Sequence, residues 1–191
     1  MRRLLIASAL LLGACGTTLT SVDGGGAARR APQGGASRGK SPATRRVPPA
    51  ESARAGRCEE ALPLIRKVAQ AHDVDVGLVV GLVHVESGFR ADIENSHTGA
   101  AGLMQIMPAT GRGFECGDLL DAEDNLECGV RVLKRYLDRY KGNMAYGLAA
   151  YNAGPKSPDQ AWSDGRLPRN FGFAELVLRE RARFLRGGCG S

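Results

Sequence analysis

Nowhere do the 191 residues hold an apolar run long enough for a permanent membrane-spanning helix. The leading candidate, residues 4–12, falls well short of the ~20 residues a span requires. No segment sustains an apolar/polar alternation of period two, so a sheet-based fold is not indicated and an all-α class is expected. No CxxC knuckle occurs, and His72, His84 and His97 are not at ligand spacing, which argues against a zinc site. No metal or organic cofactor is implied, and there is no internal repeat. The formal net charge of +6 lies largely in one stretch without interleaved aromatics, which argues against nucleic-acid binding.

What is present begins with Met1-Arg2-Arg3, a short basic start, followed by apolar residues 4–12 and the small residues Gly13 and Ala14. That is the pattern of a removable secretory signal. Leu12-Gly13-Ala14-Cys15 resembles a bacterial lipobox, in which cleavage leaves the cysteine as a lipidated N-terminus. The expectation is an exported, periplasm-facing lipoprotein held to a membrane through Cys15. In such lipoproteins the absence of an aspartate after the cysteine, here Gly16, is compatible with outer-membrane sorting. An ordinary signal with an incidental cysteine is the alternative.

Setting Cys15 aside leaves Cys58, Cys116, Cys128 and Cys189, an even set in a chain routed out of the cytoplasm, where disulfides persist. Four cysteines allow three pairings. Cys116 with Cys128 would clip one local loop, and Cys58 with Cys189 would tie the two ends of a domain. That pairing is favoured, with free buried thiols as the alternative.

Residues 16–57 carry Arg29, Arg30, Arg38, Lys40, Arg45, Arg46, Arg54 and Arg57 against Asp23 and Glu51, among Gly, Ala, Ser and Pro. Such a segment buries too little apolar surface to offset its ordering entropy and reads as a disordered basic tether, stiffer near Pro48-Pro49. The expected organisation is therefore residues 1–15 signal and lipobox, 16–57 linker, and 58–191 one compact domain.

Within that domain Leu62, Ile65, Val68 and Ala69 recur at helical spacing, with Glu59 and Glu60 placed where a helix N-terminus favours negative charge. Asp75 is a natural N-cap for residues 76–86, whose Leu78, Val79, Val80, Leu82, Val83 and Val85 occupy nearly the whole circumference. That helix should be central and buried, although its β-branched content also permits a buried strand. Residues 87–102 read as a polar loop, and Pro108 as the first residue of a short helix. Residues 124–140 carry the stripe Leu126, Val130, Leu133 and Leu137. Residues 145–153 read as a small-residue core helix, 165–171 as loop, and 173–185 as a last amphipathic helix.

Glu86 closes the most apolar of these helices. Burial disfavours its charged form, and the negative C-terminal end of the helix dipole repels a carboxylate. Both raise its pKa, as a general acid working near neutral pH requires. A glutamate in this position would equally mark the solvent end of a helix, so the neighbouring motifs decide its meaning.

Glu86-Ser87, Ser96, Gly99-Ala100-Ala101-Gly102-Leu103-Met104-Gln105-Ile106-Met107-Pro108-Ala109-Thr110, then Asn125, Gly129 and Ala149-Ala150-Tyr151-Asn152-Ala153-Gly154-Pro155 resemble the catalytic domain of soluble lytic transglycosylases. The resemblance covers most of residues 65–155 with its blocks in the family's order. It implies a lysozyme-like helical domain with a substrate groove and peptidoglycan strands as substrate. It also implies non-hydrolytic cleavage between N-acetylmuramic acid and N-acetylglucosamine to a 1,6-anhydro sugar. Glu86 matches the acid/base, Ser96, Met104 and Gln105 match groove residues, and Tyr151 and Asn152 match residues facing the glutamate. A single carboxylate suffices when an internal hydroxyl is the nucleophile, whereas ordinary glycosidases use two.

This sequence departs from the family in three places. Ser96 lies one residue further from Glu86 than the pattern has it, and Thr110 is followed by Gly111 instead of alanine. Near the last helix, Asn170-Phe171-Gly172-Phe173-Ala174-Glu175-Leu176 lacks the family's Glu-Thr and tyrosine. The missing tyrosine motivates a second expectation, a weakly active or inactive wall-binding or secretion-assembly protein, and a goose-type-lysozyme-like muramidase, which shares the fold, is a further alternative. Wall-remodelling or secretion-machinery partners are not identified by any motif.

Overall fold

The computed structural model describes residues 49–190; the signal segment, Cys15 and residues 16–48 of the tether lie outside them. The chain divides into Met1–Thr44 and Arg45–Ser191, and only the second carries described residues. Seven α-helices follow in order: α1 (Pro49–Ala71), α2 (Val76–Glu86), α3 (Pro108–Gly113), α4 (Ala122–Arg139), α5 (Met144–Ala153), α6 (Lys156–Ser163) and α7 (Phe171–Gly187). A short 3-10 turn, Gly188–Gly190, ends the described chain. Among the described residues extended structure is limited to isolated bridges, Glu94 with Ala101 and Ala101 with Ile106. The all-α expectation holds.

Helix α2 is the centre, and it is the helix the sequence pattern outlined. Asp75 caps it by accepting a 2.7 Å hydrogen bond from the Leu78 amide. Every residue from Gly77 to Val83 is buried. Each fully buried Leu or Val contributes roughly 1.5–3 kcal/mol of apolar transfer, so the helix is held by its environment more than by propensity. Helix α7 packs along it at close range, and Gly81 makes this possible. A Cβ at Gly81 would lie 2.6 Å from the Val177 carbonyl oxygen and 2.8 Å from the Arg181 amide nitrogen. Arg181 in turn pairs with the capping Asp75, Nε to Oδ1 at 2.8 Å, and holds that carboxyl below the usual range.

The amphipathic stripe of α4 packs as its periodicity predicts, with Leu126, Val130 and Leu133 fully buried. Its N-cap is Asp121, whose side chain accepts from the amides of Glu123 and Asp124. Helix α6 was not foreseen; Pro155, the last residue of the motif block, is its N-cap. Asp159 on α6 receives Arg139 in a two-pronged contact of 2.7 and 2.6 Å and the Tyr140 hydroxyl at 2.8 Å. These long-range contacts are absent from the local pattern.

The linker boundary needs correction. Residues 49–57, assigned to the tether, form the first turns of α1, so Glu59 and Glu60 lie inside the helix and not at its start. Pro49 suits the first helical position, where its missing N–H has no intrahelical partner to lose. The added turns are held by tertiary contacts: Glu51 to Arg183, Arg54 to His84, and Arg57 to the Gly88 carbonyl. The favoured disulfide pairing is the one present. Cys58–Cys189 joins α1 to the C-terminal turn, and Cys116–Cys128 clips the loop before α4.

Three stability predictions follow from this packing. Gly81→Ala is expected to lower the thermal midpoint by overpacking against α7, about 1–3 kcal/mol. Gly56→Ala, where nothing lies within 4 Å, should raise stability by roughly 0.5–1 kcal/mol through helix propensity. Serine replacement of Cys58 and Cys189, separated by 131 residues, should cost more than replacement of Cys116 and Cys128, separated by 12. Chain entropy puts these at about 5 and about 3 kcal/mol, and denaturant titration of the two variants ranks them.

Candidate active site

Glu86 is the last residue of α2, half-buried at the point where the buried helix emerges. Burial pushes its carboxyl up to about 7. It lines a groove with Val85, Ser87, Gly88 and Arg90 on one side and Ala50, Ala53, Arg54 and Arg57 of α1 on the other. Glu86 is the one carboxylate among the described residues lining that groove. Among the described residues no His, Cys, Asp or Glu cluster suited to a metal ion is found.

Tyr151 comes from α5. Its hydroxyl donates to the Met104 carbonyl at 2.8 Å. Its phenol is pushed well above the ordinary range, first by burial and then by the charge of Glu86. Tyr151 therefore lies within electrostatic reach of Glu86. Met104 enters the site by its carbonyl. Its thioether is fully buried and packed where Gly129 of α4 leaves no side chain, so a Cβ at Gly129 would meet the Met104 sulfur and Cβ. The expectation that the Met104 side chain contacts sugar is thereby corrected, because a side chain closed in by the core has no face left for a ligand.

The loop carrying Met104 is held by a residue the sequence reading quoted only as part of a motif. Asn125 is fully buried on α4. Its Oδ1 accepts from the Met104 amide at 2.8 Å, and its Nδ2 donates to the carbonyls of Ala101 and Leu119, both at 2.9 Å. A buried amide satisfied by three backbone groups fixes a loop as a helix fixes its own residues. Gln105 sits next along with a φ of 49°. Its amide nitrogen donates to the Gly102 carbonyl at 3.0 Å, bracing the turn from inside.

Ser96 and Asn152 lie nearer the surface. Ser96 is exposed, its hydroxyl 3.2 Å from His97 Nδ1, and it makes no hydrogen bond to Glu86 or Tyr151. Asn152 accepts at Oδ1 from Asn170 Nδ2 at 3.0 Å, and the same Nδ2 donates to the Ala149 carbonyl at 2.9 Å. Asn170 opens the stretch noted for lacking tyrosine, and it ties that stretch to α5 through an amide clamp. The signal for it was an asparagine at a helix start, a position usually read as a cap; here no capping bond forms.

His84, two residues before Glu86, is held between charges. Arg54 Nη1 lies 2.9 Å from its Nε2 and Glu180 Oε2 lies 3.1 Å from its Nδ1. An arginine can only donate, so Nε2 accepts and Nδ1 carries the proton. Burial lowers the His84 pKa; Glu180 opposes this, while Arg54 and Arg183 add to it.

A small helical domain with a raised-pKa glutamate at the end of its buried central helix is of the lysozyme-like class. Residues 63–166 match the family model described as the Transglycosylase SLT domain, and the chain belongs to that family. It is 33% identical over 98 residues to membrane-bound lytic murein transglycosylase F of Desulfosudis oleivorans, covering 48% of this chain and 21% of that protein. It is 34% identical over 116 residues to membrane-bound lytic murein transglycosylase C of Haemophilus influenzae, covering 51% and 32%. Among solved structures, the 70 kDa soluble lytic transglycosylase of Escherichia coli superposes with a TM-score of 0.57 at 25% identity, over 67% of this chain and 25% of that one. The chain thus spans a third or less of each of these proteins.

The pKa of Glu86 has a consequence for stability. Unfolded, the carboxyl titrates near its ordinary 4.5, and folded at about 7. The folded state therefore favours the protonated form, and stability is lost as pH rises from the first value through the second, by roughly 3 kcal/mol. Glu86→Gln cannot ionise. Relative to wild type it should gain little near pH 4 and roughly 3 kcal/mol by pH 8, read as a widening difference in thermal midpoint. An offset that stays constant across that window would contradict burial as the cause.

Proposed function

We propose that the domain is a peptidoglycan lytic transglycosylase that uses Glu86 alone as acid and then base. The observation that carries this reading is the carboxyl with a pKa of about 7 standing without a second carboxylate among the described groove residues. Protonated Glu86 gives its proton to the oxygen joining N-acetylmuramic acid C1 to N-acetylglucosamine as the C1–O bond breaks. The muramic 6-hydroxyl then attacks C1, and its proton passes to the Glu86 carboxylate. A 1,6-anhydro end forms, the acid is regenerated, and no water is consumed. The names of the relatives, lytic murein transglycosylases, accord with this chemistry.

Tyr151 holds its proton over the whole working range, so it supports Glu86 and the developing positive charge by its dipole without adding charge. Asn152 and Gln105 offer amide groups for N-acetyl recognition, and Ser96 offers an exposed hydroxyl. Cys15, outside the described residues, would anchor the mature chain to a membrane as an exported, periplasm-facing lipoprotein, outer-membrane-sorted where the cell has one. The relatives named membrane-bound are in keeping with that. Among the described residues no helix is long and apolar enough to cross a membrane.

Purified wall digested with the protein should release anhydro-muropeptides, resolved by mass spectrometry. Glu86→Gln should lower turnover by at least about 100-fold, the usual scale of a general acid/base. Reducing-end products would indicate a muramidase of the goose-type kind. Wall binding without soluble products, unchanged in Glu86→Gln, would indicate a wall-binding or assembly role. Turnover should fall with rising pH above about 7 as the acid form of Glu86 is depleted.

A further inference from the structure

Helices α1 and α2 run antiparallel, joined by a turn at residues 72–75, and they differ in length: 23 residues against 11. At 1.5 Å per residue that is about 34 Å against about 16 Å. The N-terminal turns of α1 therefore overhang the end of α2 at which Glu86 sits. The pairing of Arg54 with His84 and of Arg57 with Gly88 records this register. These turns precede residue 63, where the match to the family model begins.

The overhang brings three guanidinium groups to the Glu86 groove. Arg54 and Arg57 come from α1, and Arg90 comes from the loop after α2. Each is held at one nitrogen: Arg57 Nε on the Gly88 carbonyl at 3.1 Å, Arg90 Nε on the Ser87 carbonyl at 2.9 Å, and Arg54 Nη1 on neutral His84. Among the described residues none of the three is in an ion pair. The terminal nitrogens of Arg57 and Arg90 have no hydrogen-bond acceptor there. Other arginines of the domain are neutralised: Arg139 by Asp159, Arg166 by Asp164 and Arg181 by Asp75. A pre-positioned guanidinium with free donors is matched to a carboxylate.

Resting on the reading of Glu86 as the acid/base, we propose that Arg54, Arg57 and Arg90 form a carboxylate-recognition wall. Its ligand is the set of free carboxylates on the stem peptide carried by the muramic acid beside the scissile bond, so that the enzyme selects strands whose stem peptides keep those charges. Two of the three guanidiniums also satisfy carbonyls at the end of α2, as a helix C-terminus favours. A purely structural role is therefore the rival to be separated.

The full chain should be assayed on glycan strands bearing stem peptides and on the same strands after carbodiimide coupling of the peptide carboxylates to ammonia, which leaves neutral amides, with kcat and KM determined for each. Wild type should favour the unmodified strands in kcat/KM. Arg90→Gln should lower that preference about fivefold, the scale of one partly exposed charge-assisted contact. The effect should lie mainly in KM, Arg90→Lys should restore part of it, and Arg54→Gln/Arg57→Gln should add to the loss. Rising salt should erode the wild-type preference in parallel. Equal kcat/KM on the two strands in wild type would overturn the proposal. So would a variant that slows both strands by one factor while its thermal midpoint falls, as for a structural cap. Cleavage of neither polymer would instead sink the proposed reaction. Co-sedimentation with the same two polymers then decides the wall by the same comparison of wild type with Arg90→Gln.

Discussion

Helix α2 has no face that can be left in water, and the architecture follows from enclosing it. Helices α1 and α7 close on it directly, α7 down to the backbone at Gly81. The chain can leave such a helix only at its ends. One end is capped by Asp75 and tied to α7 through Arg181. The other ends in Glu86, a carboxyl that cannot retreat from the apolar mass behind it without unwinding the helix. The same burial that stabilises the core thus makes the acid, and it does so at the expense of stability above neutral pH.

The loop that carries Met104 is held by hydrogen bonding. Asn125 anchors the backbone at Ala101, Met104 and Leu119 from within the core, Tyr151 reaches the same loop at the Met104 carbonyl, and Asn170 clamps Asn152. A loop left to itself would sample many conformations around Glu86. Here Asn125 and Tyr151 hold it through hydrogen bonds to its backbone, so its conformation is fixed within the fold. Met104 illustrates the division of labour, with its side chain filling the core beside Gly129 and its carbonyl orienting the tyrosine.

The N-terminal turns of α1 add to this frame. They are joined to the C-terminal end of the chain by Cys58–Cys189 and by Glu51 with Arg183, so both termini of the domain meet beside the Glu86 end of α2. The first turns of α1 consequently lie next to the groove, and Arg54 and Arg57 line it.

Local pattern was sufficient wherever burial is periodic. The span of α2, its Asp75 cap, the stripe of α4 and the glutamate at the helix end could all be read because the side chains that decide them are neighbours along the chain. The ordered motifs around Gly102-Leu103-Met104-Gln105 and Ala150-Tyr151-Asn152 carried the family resemblance in the same way. The start of α1 at Pro49, the existence of α6 and the buried thioether of Met104 could not be read. Nor could the Asn170 clamp. Each is decided by a partner distant in sequence: His84 and Arg183 for α1, Arg139 for α6, Gly129 for Met104 and Asn152 for Asn170. The sequence by itself determined that Glu86 would end a buried helix. Only the tertiary structure decided what faces it, because the energy of a long-range contact depends on where both partners are carried.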